Sequence, residues 1–521
     1  MDRREFVGIL GALPLLGAAR AFSPANFSKV VYPGKDGRLV YVPDGEGNTI
    51  PDFSNCGYMG GGVKLPSVPI RATVEPTSEN AGKAIQDAID KVSALALGKD
   101  GFRGAVLIRR GTYKVDRTLM IRTSGVVLRG EGDSEKGTVL VATQRKQHTL
   151  IEIKGKGSGK ATGRRTLIKD AYVPVGSRSF KIESAAGFSV GDEVIVRRIG
   201  NKEWIREIGM DRITPRSTGG TVQWEPFDLD FERVIKAIKG DTITIDAPIA
   251  CAIDGRWGGG EVRSVDNSGR ISQVGIEDLR GDSEFDPKIK ADLEGGKGKY
   301  FSDEQHSWEF ITINFAENVW VRDVTAIHFG YTGVHVSQDA RWVTVQDSKC
   351  LDMISEITGS RRYCFHLEGQ LSLVQRCFAD TGRHAFVVGS RVCGPNVFLS
   401  CKATNSYNTS EPHHRWSVGG LYDNVSAPMA IQDRQWMGTG HGWAGANYVA
   451  WNCEGPLVCQ KPPTAQNWAI GHVGEKQPGA FAPRQDGYWE SLGRHVEPAS
   501  LYLQQLKDRL GAAAVKAIGK A

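Results

Sequence analysis

Nine of the eleven histidines of this chain lie between His306 and His472. Imidazole is the side chain whose ordinary pKa lets it trade protons near neutral pH. Other reactive groups crowd into the same stretch. Glu356, Arg361, Arg362, Tyr363 and His366 come first, then Arg383, His384 and Arg391. His413, His414, Arg415, Tyr422 and Asp423 follow, and after them His441 and Trp443. Brought together, these residues supply a base near neutral pH, guanidinium forks for carboxylates and aromatic platforms.

What would bring them together is a repeat. A short β-like phrase recurs as NVWVRD to Asp323, WVTVQD to Asp347, LSLVQRC to Cys377, NVFLSC to Cys401, GGLYDN to Asn424 and YVAWNC to Cys453, in steps of 24, 30, 24, 23 and 29 residues. His335 stands 12 residues before Asp347, His366 stands 11 before Cys377, His413 stands 11 before Asn424 and His441 stands 12 before Cys453. His384 precedes Cys401 by 17, with the Gly/Pro loop GSRVCGPN between them. Repeats of this length cannot bury a core alone and must stack. Successive parallel strands then lie about 4.8 Å apart, so groups on adjacent coils come within about 5–10 Å. The spacing predicts a column of imidazoles on one face. Its outer members, His335 and His441, read as ladder, and His366 to His414 carry the chemistry.

The bulk numbers agree with one long β architecture. The chain has 521 residues, 40% of them hydrophobic, and its 63 glycines suit a turn-rich β protein. A net charge of +6 over 124 charged residues, with no concentrated basic stripe, argues against a nucleic-acid partner. The glycine-rich run from Lys154 to Arg165 reads as a solvated loop. Nine cysteines form no zinc spacing, and Cys377, Cys401 and Cys453 sit at one place in their repeats, where they would stack in a core. At the amino terminus, Arg3-Arg4-Glu5-Phe6, an apolar run and Ala19-Arg20-Ala21 compose a twin-arginine-like signal peptide over residues 1–21. That predicts bacterial export to the periplasm or medium. No later segment is long and apolar enough for a membrane span.

Residues 22–75 read as an extended arm rich in Gly and Pro. An amphipathic helix follows in AGKAIQDAIDKVSALAL, then GAVLIRRGTY and TLMIRTSGVVLRGEG. This order resembles the opening of the pectate-lyase-like right-handed parallel β-helix superfamily, whose members begin with a capping helix, a strand pair and the first coils. The expected fold is therefore all-β: a right-handed parallel β-helix over residues 76–521 with an N-terminal capping helix. A β-rich insertion is expected at about 165–250, its Trp204 and Trp224 walling a sugar groove or filling a core. A C-terminal helix over residues 500–518 should cover the open carboxyl end of the stack, which would otherwise be an exposed sheet edge.

The resemblance implies binding or cleavage of a polysaccharide or oligosaccharide, often an acidic one, by a monomeric protein. Uronate β-elimination needs a cation or strong donor on the C6 carboxylate and a base for the C5 proton, and a third group can protonate the leaving oxygen. Arg362, Arg383 and Arg415 could clamp carboxylates, His384 or His413 could be the base, and Tyr363 the acid. His366 completes the reacting set, while Arg391, His414, Glu356 and Trp443 would line the substrate. No Asp-rich calcium cluster stands in these coils, although Asp278, Asp282, Glu284 and Asp286 could ligate Ca2+. No cofactor is required by this reading, and converging histidines would suit zinc. Two alternatives use the same scaffold. An inverting glycoside hydrolase would draw its carboxyl pair from Glu356, Glu368, Asp380 and Asp423. A non-catalytic glycan-binding adhesin needs no convergent His/Arg set.

Overall fold

The computed structural model describes residues 26–520 apart from Ser78, so the signal-peptide reading of residues 1–21 lies outside the described residues. The chain winds into a right-handed parallel β-helix with three sheets. A full coil is traced by Thr332–Val336, Arg341–Gln346 and Lys349–Leu351, and the next by Tyr363–Leu367, Leu373–Gln375 and Phe378–Asp380. Each strand pairs in parallel with its counterpart one coil on. Inward side chains form one continuous core from Val74 to Ala469, where Phe365 stacks on Phe386 at 5.7 Å and Phe398 on Tyr422 at 5.3 Å. All nine cysteines are free and buried, and Cys377, Cys401 and Cys453 belong to this core. Tyr422 lies inside it too, and so leaves the candidate cluster.

The bend between the first and second sheets explains the repeat. Asp278, Asp323, Asp347, Arg376, Ser400, Asn424 and Asn452 all adopt a left-handed backbone, with φ between 49° and 58°. The strand register aligns them coil on coil. Asn and Asp tolerate this conformation best among residues with a side chain. The repeat phrases that end in Cys therefore run one residue past those that end in Asp or Asn. The equivalent positions are the corner residues, and each cysteine is the first inward residue after its corner.

The helix Gly82–Ser93 closes the amino-terminal end, with Ile85, Ile89 and Val92 inside the core. The arm from residue 26 runs the length of the stack against its coil order. Ser28 donates to Glu490 in the last rung (2.7 Å), Tyr58 packs edge-on against Trp320, and Val68 lies near the first rung, Ile70–Val74. The carboxyl-terminal segment is two helices, Leu501–Leu510 and Ala512–Ile518, broken at Gly511 with φ +84°. They do not cover the open end. With the arm, they cover the outer face of the first sheet, burying Leu373, Leu399, Leu421, Val449 and Trp451. That face carries large apolar residues that must be shielded from water.

The insertion is larger than its sequence suggests. It is a six-stranded sheet, all of its pairings antiparallel, running from Lys160–Leu167 to Gly260–Asp266. Trp204 and Trp224 are buried in its core rather than along a groove, and that core continues onto the solenoid through Cys393, Trp416, Val418 and Trp443. Arg233, fully buried, bolts the two together by donating to the carbonyls of Ala247, Pro248 and Gly394.

Candidate functional site

The imidazole column lies on the outer face of the third sheet, where alternation puts inward residues such as Phe365 and Leu367 on one side and His366 on the other. In register, His335 faces His366 and Tyr363 faces His384. The rings form a chain of contacts. His335 and His366 stack at 4.7 Å, Tyr363 lies 5.3 Å from both His366 and His384, and His413 lies 5.2 Å from Tyr363 and 4.9 Å from His441. Two groups of ligating atoms converge in it, His335 with His366 and Glu368, and His384 with Glu411 and His413.

The second group is centred on Glu411, a carboxylate almost wholly shut off from solvent. One oxygen meets Arg434 Nη1 at 2.6 Å, His413 Nδ1 at 2.9 Å and His384 Nδ1 at 3.3 Å, and the other accepts from Thr409 Oγ1 at 2.8 Å. Burial holds His384 and His413 well below the usual imidazole range, and Arg434 pushes His413 lower still. Both are therefore neutral, and a backbone carbonyl fixes the tautomer of His384. Arg434 Nη1 donates to the His413 carbonyl at 2.6 Å and also stands 2.8 Å from His413 Nδ1 and 2.6 Å from Glu411. When His413 Nδ1–H donates to Glu411 at 2.9 Å, Nε2 accepts from Tyr363 Oη at 3.0 Å; when Nδ1 accepts from Arg434 instead, Nε2–H donates to Tyr363. His384 Nδ1–H donates to the Thr409 carbonyl at 2.6 Å, so its Nε2 carries a lone pair, buried and without a partner.

Carboxylate, imidazole and phenol thus stand in line, and in the tautomer with Nδ1–H on Glu411 they form a relay in which the phenol donates to the imidazole. Burial raises the Tyr363 phenol, and Arg383, whose guanidinium lies 5.6 Å from the ring, lowers it. Among the described residues no carboxylate pairs with Arg383, and its Nη1 is buried without a partner. His414, Arg415 and His441 stand half-buried beside the relay. Burial and then Arg415 hold His414 down at about 4, and burial, Arg434 and His414 hold His441 at about 2. Arg415 Nη2 donates to Thr439 Oγ1 at 2.7 Å, and Trp224 of the insertion donates to the Gly440 carbonyl at 2.9 Å, so the insertion anchors the loop that carries His441.

The first group has the opposite electrostatics. Burial alone would depress His335, but Glu309 on Nδ1 and Glu368 on Nε2, both at 3.0 Å, raise it to about 9. His335 is thus held by a carboxylate at each ring nitrogen. Burial and then the charge on His335 drive His366 down to about 3, and its Nδ1 meets Tyr331 Oη at 3.1 Å.

Four expected substrate contacts lie elsewhere. The Arg362 guanidinium is buried and donates to the Ser355 and Phe301 carbonyls, so it ties coils together instead of presenting a fork. Arg391 lies over Phe227 at 4.1 Å, and Trp443 is buried in the insertion's core. Glu356 is exposed on a loop where Glu304 forms a bidentate pair with Arg361. The acidic residues weighed for calcium are dispersed. Asp278 stands beside Asp323 at the corner, Asp282 pairs with His328 at 2.8 Å, and Asp286 caps its own turn. Asp423 is buried and receives Ser500 Oγ and the Tyr502 N–H at the start of a C-terminal helix, and Asp380 accepts from Thr404 and Asn405.

Glu411, Glu309, Tyr331 and Arg434 are participants that sequence reading passes over, and Glu368 enters there only as a hydrolase carboxyl. Two of them left a signal: Glu411 and His413 are two residues apart, as are His366 and Glu368, and on a strand that spacing puts both on one face.

No family model and no curated protein matches this chain. Among solved structures it is similar to the Gp54 tailspike of Acinetobacter baumannii bacteriophage AP22 in complex with A. baumannii capsular saccharide (12% identity, TM-score 0.43, covering 77% of this chain and 56% of that one). It is also similar to the tailspike protein of E. coli bacteriophage HK620 in complex with pentasaccharide (9%, 0.39, 78% and 57%). A third is DFA-IIIase from Arthrobacter chlorophenolicus A6 (9%, 0.36, 78% and 68%). The chain spans little more than half the length of the two tailspikes.

Proposed function

We propose that this protein is an exported carbohydrate-active enzyme of the pectate-lyase-like kind that cleaves a uronic-acid-containing polysaccharide by β-elimination. The observation that carries the reading is the Glu411–His413–Tyr363 relay ending beside Arg383, a guanidinium with no anion of its own. Arg383 takes the substrate's C6 carboxylate and so acidifies C5–H. The C5 proton passes to Tyr363 Oη as the phenol's own proton passes to His413 Nε2, one concerted transfer that forms no free phenolate. The C5 electron pair forms the C4=C5 bond as the C4–O bond breaks, and the leaving oxygen takes a proton back from the Tyr363–His413 pair. Glu411 holds the imidazole in the required tautomer and balances the imidazolium that forms.

The test is to incubate the protein with polyuronides and neutral glycans, following ultraviolet absorbance of unsaturated uronyl ends alongside reducing ends. Both should rise together on a polyuronide, and Tyr363→Phe should abolish both while leaving the fold intact. New reducing ends without the absorbance would replace the lyase with a glycoside hydrolase. Glycan binding with neither signal would replace it with an adhesin.

A further inference from the structure

We propose that His335, His366 and Glu368 form a binding site for a divalent transition-metal ion of the zinc class, on the outer face of the third sheet. The two histidines are register partners on consecutive coils, and their rings stack at 4.7 Å with planes 12° apart. Each presents Nε2 to the same carboxylate. His335 Nε2 lies 3.0 Å from one Glu368 oxygen, and His366 Nε2 lies 3.9 Å from the other. Two ligands held at 2.0–2.1 Å by a tetrahedral ion stand roughly 3.3 Å apart. The three groups close on a common ion when one imidazole turns out of the stack, a side-chain rotation that brings both in-plane Nε2 lone pairs to the same point and needs no backbone movement.

The other nitrogen of each ring is already held. Glu309 takes His335 Nδ1 at 3.0 Å and Tyr331 Oη takes His366 Nδ1 at 3.1 Å. Glu309 is fixed in turn by Thr149 Oγ1 at 2.6 Å and Thr312 Oγ1 at 3.1 Å. Metal-binding imidazoles are oriented in this way, with a partner behind each ring, and the incoming ion displaces the proton that His335 Nε2 gives to Glu368. An entry path exists as well, since the side chain of Glu368 is 33% exposed and that of His335 14%, whereas that of His366 is 5% exposed.

The neighbouring group supplies the contrast. His384, Glu411 and His413 converge as closely, but Arg434 Nη1 sits 2.6 Å from Glu411 and within hydrogen-bonding reach of His413. A guanidinium already occupies the point a metal would take, and it repels a second cation. Among the described residues no guanidinium or ammonium stands between His335, His366 and Glu368, and the one positive charge there, the His335 proton, is displaced when an ion binds. Two imidazoles with one carboxylate favour zinc or a neighbouring first-row ion, whereas calcium asks for six to eight oxygens. The site does not depend on the lyase reading, and it is tested without turnover.

Chelator-treated protein is titrated with Zn2+ by calorimetry and with Co2+ by visible absorption. One ion per chain should bind, with Co2+ giving the bands of a low-symmetry nitrogen and oxygen environment. Glu368→Gln and His366→Ala should lose this ion, and Glu309→Gln should weaken it by roughly 10- to 100-fold through its hold on His335. His384→Ala, in the arginine-filled group, should bind as the wild type does. Glu368→Gln keeps the side chain's size, and its melting curve shows that any loss is not unfolding. Absence of stoichiometric Zn2+ or Co2+ binding, its survival in both Glu368→Gln and His366→Ala, or stoichiometric Ca2+ uptake in its place would overturn the proposal.

Discussion

Glu411→Gln puts the electrostatics of the relay to a quantitative test. The Glu411 side chain is 1% exposed and that of Arg434 7%, and they meet at 2.6 Å. Removing one charge leaves the other buried and unpaired, which costs about 3–5 kcal/mol. Gln is isosteric and keeps an oxygen for Arg434, so the lower end applies, about 3 kcal/mol. Arg434→Met also loses the bond to the His413 carbonyl and should cost about 4 kcal/mol. In the double variant both charges are gone, and the cost should fall short of the sum of the singles by about 2–3 kcal/mol. The assay is urea unfolding at neutral pH, read as midpoint shifts at unchanged slope. A loss below about 1 kcal/mol in Glu411→Gln, or strictly additive singles, would refute the reasoning. Either would mean that the pair is screened by water and worth no more than a surface ion pair. Catalysis should suffer as well, because a neutral Gln no longer balances the imidazolium that forms on His413.

Other outcomes are as specific. At Asp278, burial and then the charges of Glu277 and Asp323 push the carboxyl up to about 6. The folded state therefore holds this proton more tightly than the unfolded chain, and ionisation costs stability that is intact below about pH 4 and lost as pH rises through 6. Asp278→Asn, which also suits the left-handed corner, should gain about 1 kcal/mol at pH 8 after discounting for solvent, and nothing at pH 4, in melts across that range. Arg383→Ala should reduce cleavage of a polyuronide by at least about 100-fold while its melting temperature stays near wild type, because that guanidinium has no carboxylate partner to lose. A variant with full activity would remove Arg383 from the site. Gly275→Ala would bring a Cβ within 2.2 Å of the fully buried Trp320 ring and should cost about 3 kcal/mol in thermal unfolding. A neutral result would mean that the arm carrying Tyr58 yields easily.

The solenoid and the imidazole column are legible in the spacing of the repeats alone. A coil must place its core residues and its tight corner at fixed intervals, so Asp323, Asp347 and Asn424 recur, and His335, His366 and His413 recur with them. Strand alternation even paired Glu368 with His366 and Glu411 with His413, a signal that was present and unread. Three things were decided only by the tertiary structure. Arg362, Arg391 and Arg415 look interleaved with the histidines, but each has a left-handed backbone, with φ +58°, +57° and +53°. That turn breaks strand alternation, and Arg362 is spent on backbone carbonyls while Arg391 lies on Phe227. The carboxyl-terminal helices look like an end cap, but the apolar outer face of the first sheet is the larger surface needing cover. Arg434 comes from an irregular loop in the next coil, whose path no periodicity constrains, and it gives Glu411 a cation at the point where a metal would otherwise fit. Local spacing fixes which residues share a face. Which of them face a charge, a carbonyl or open water depends on chain segments that meet only when the coils are stacked.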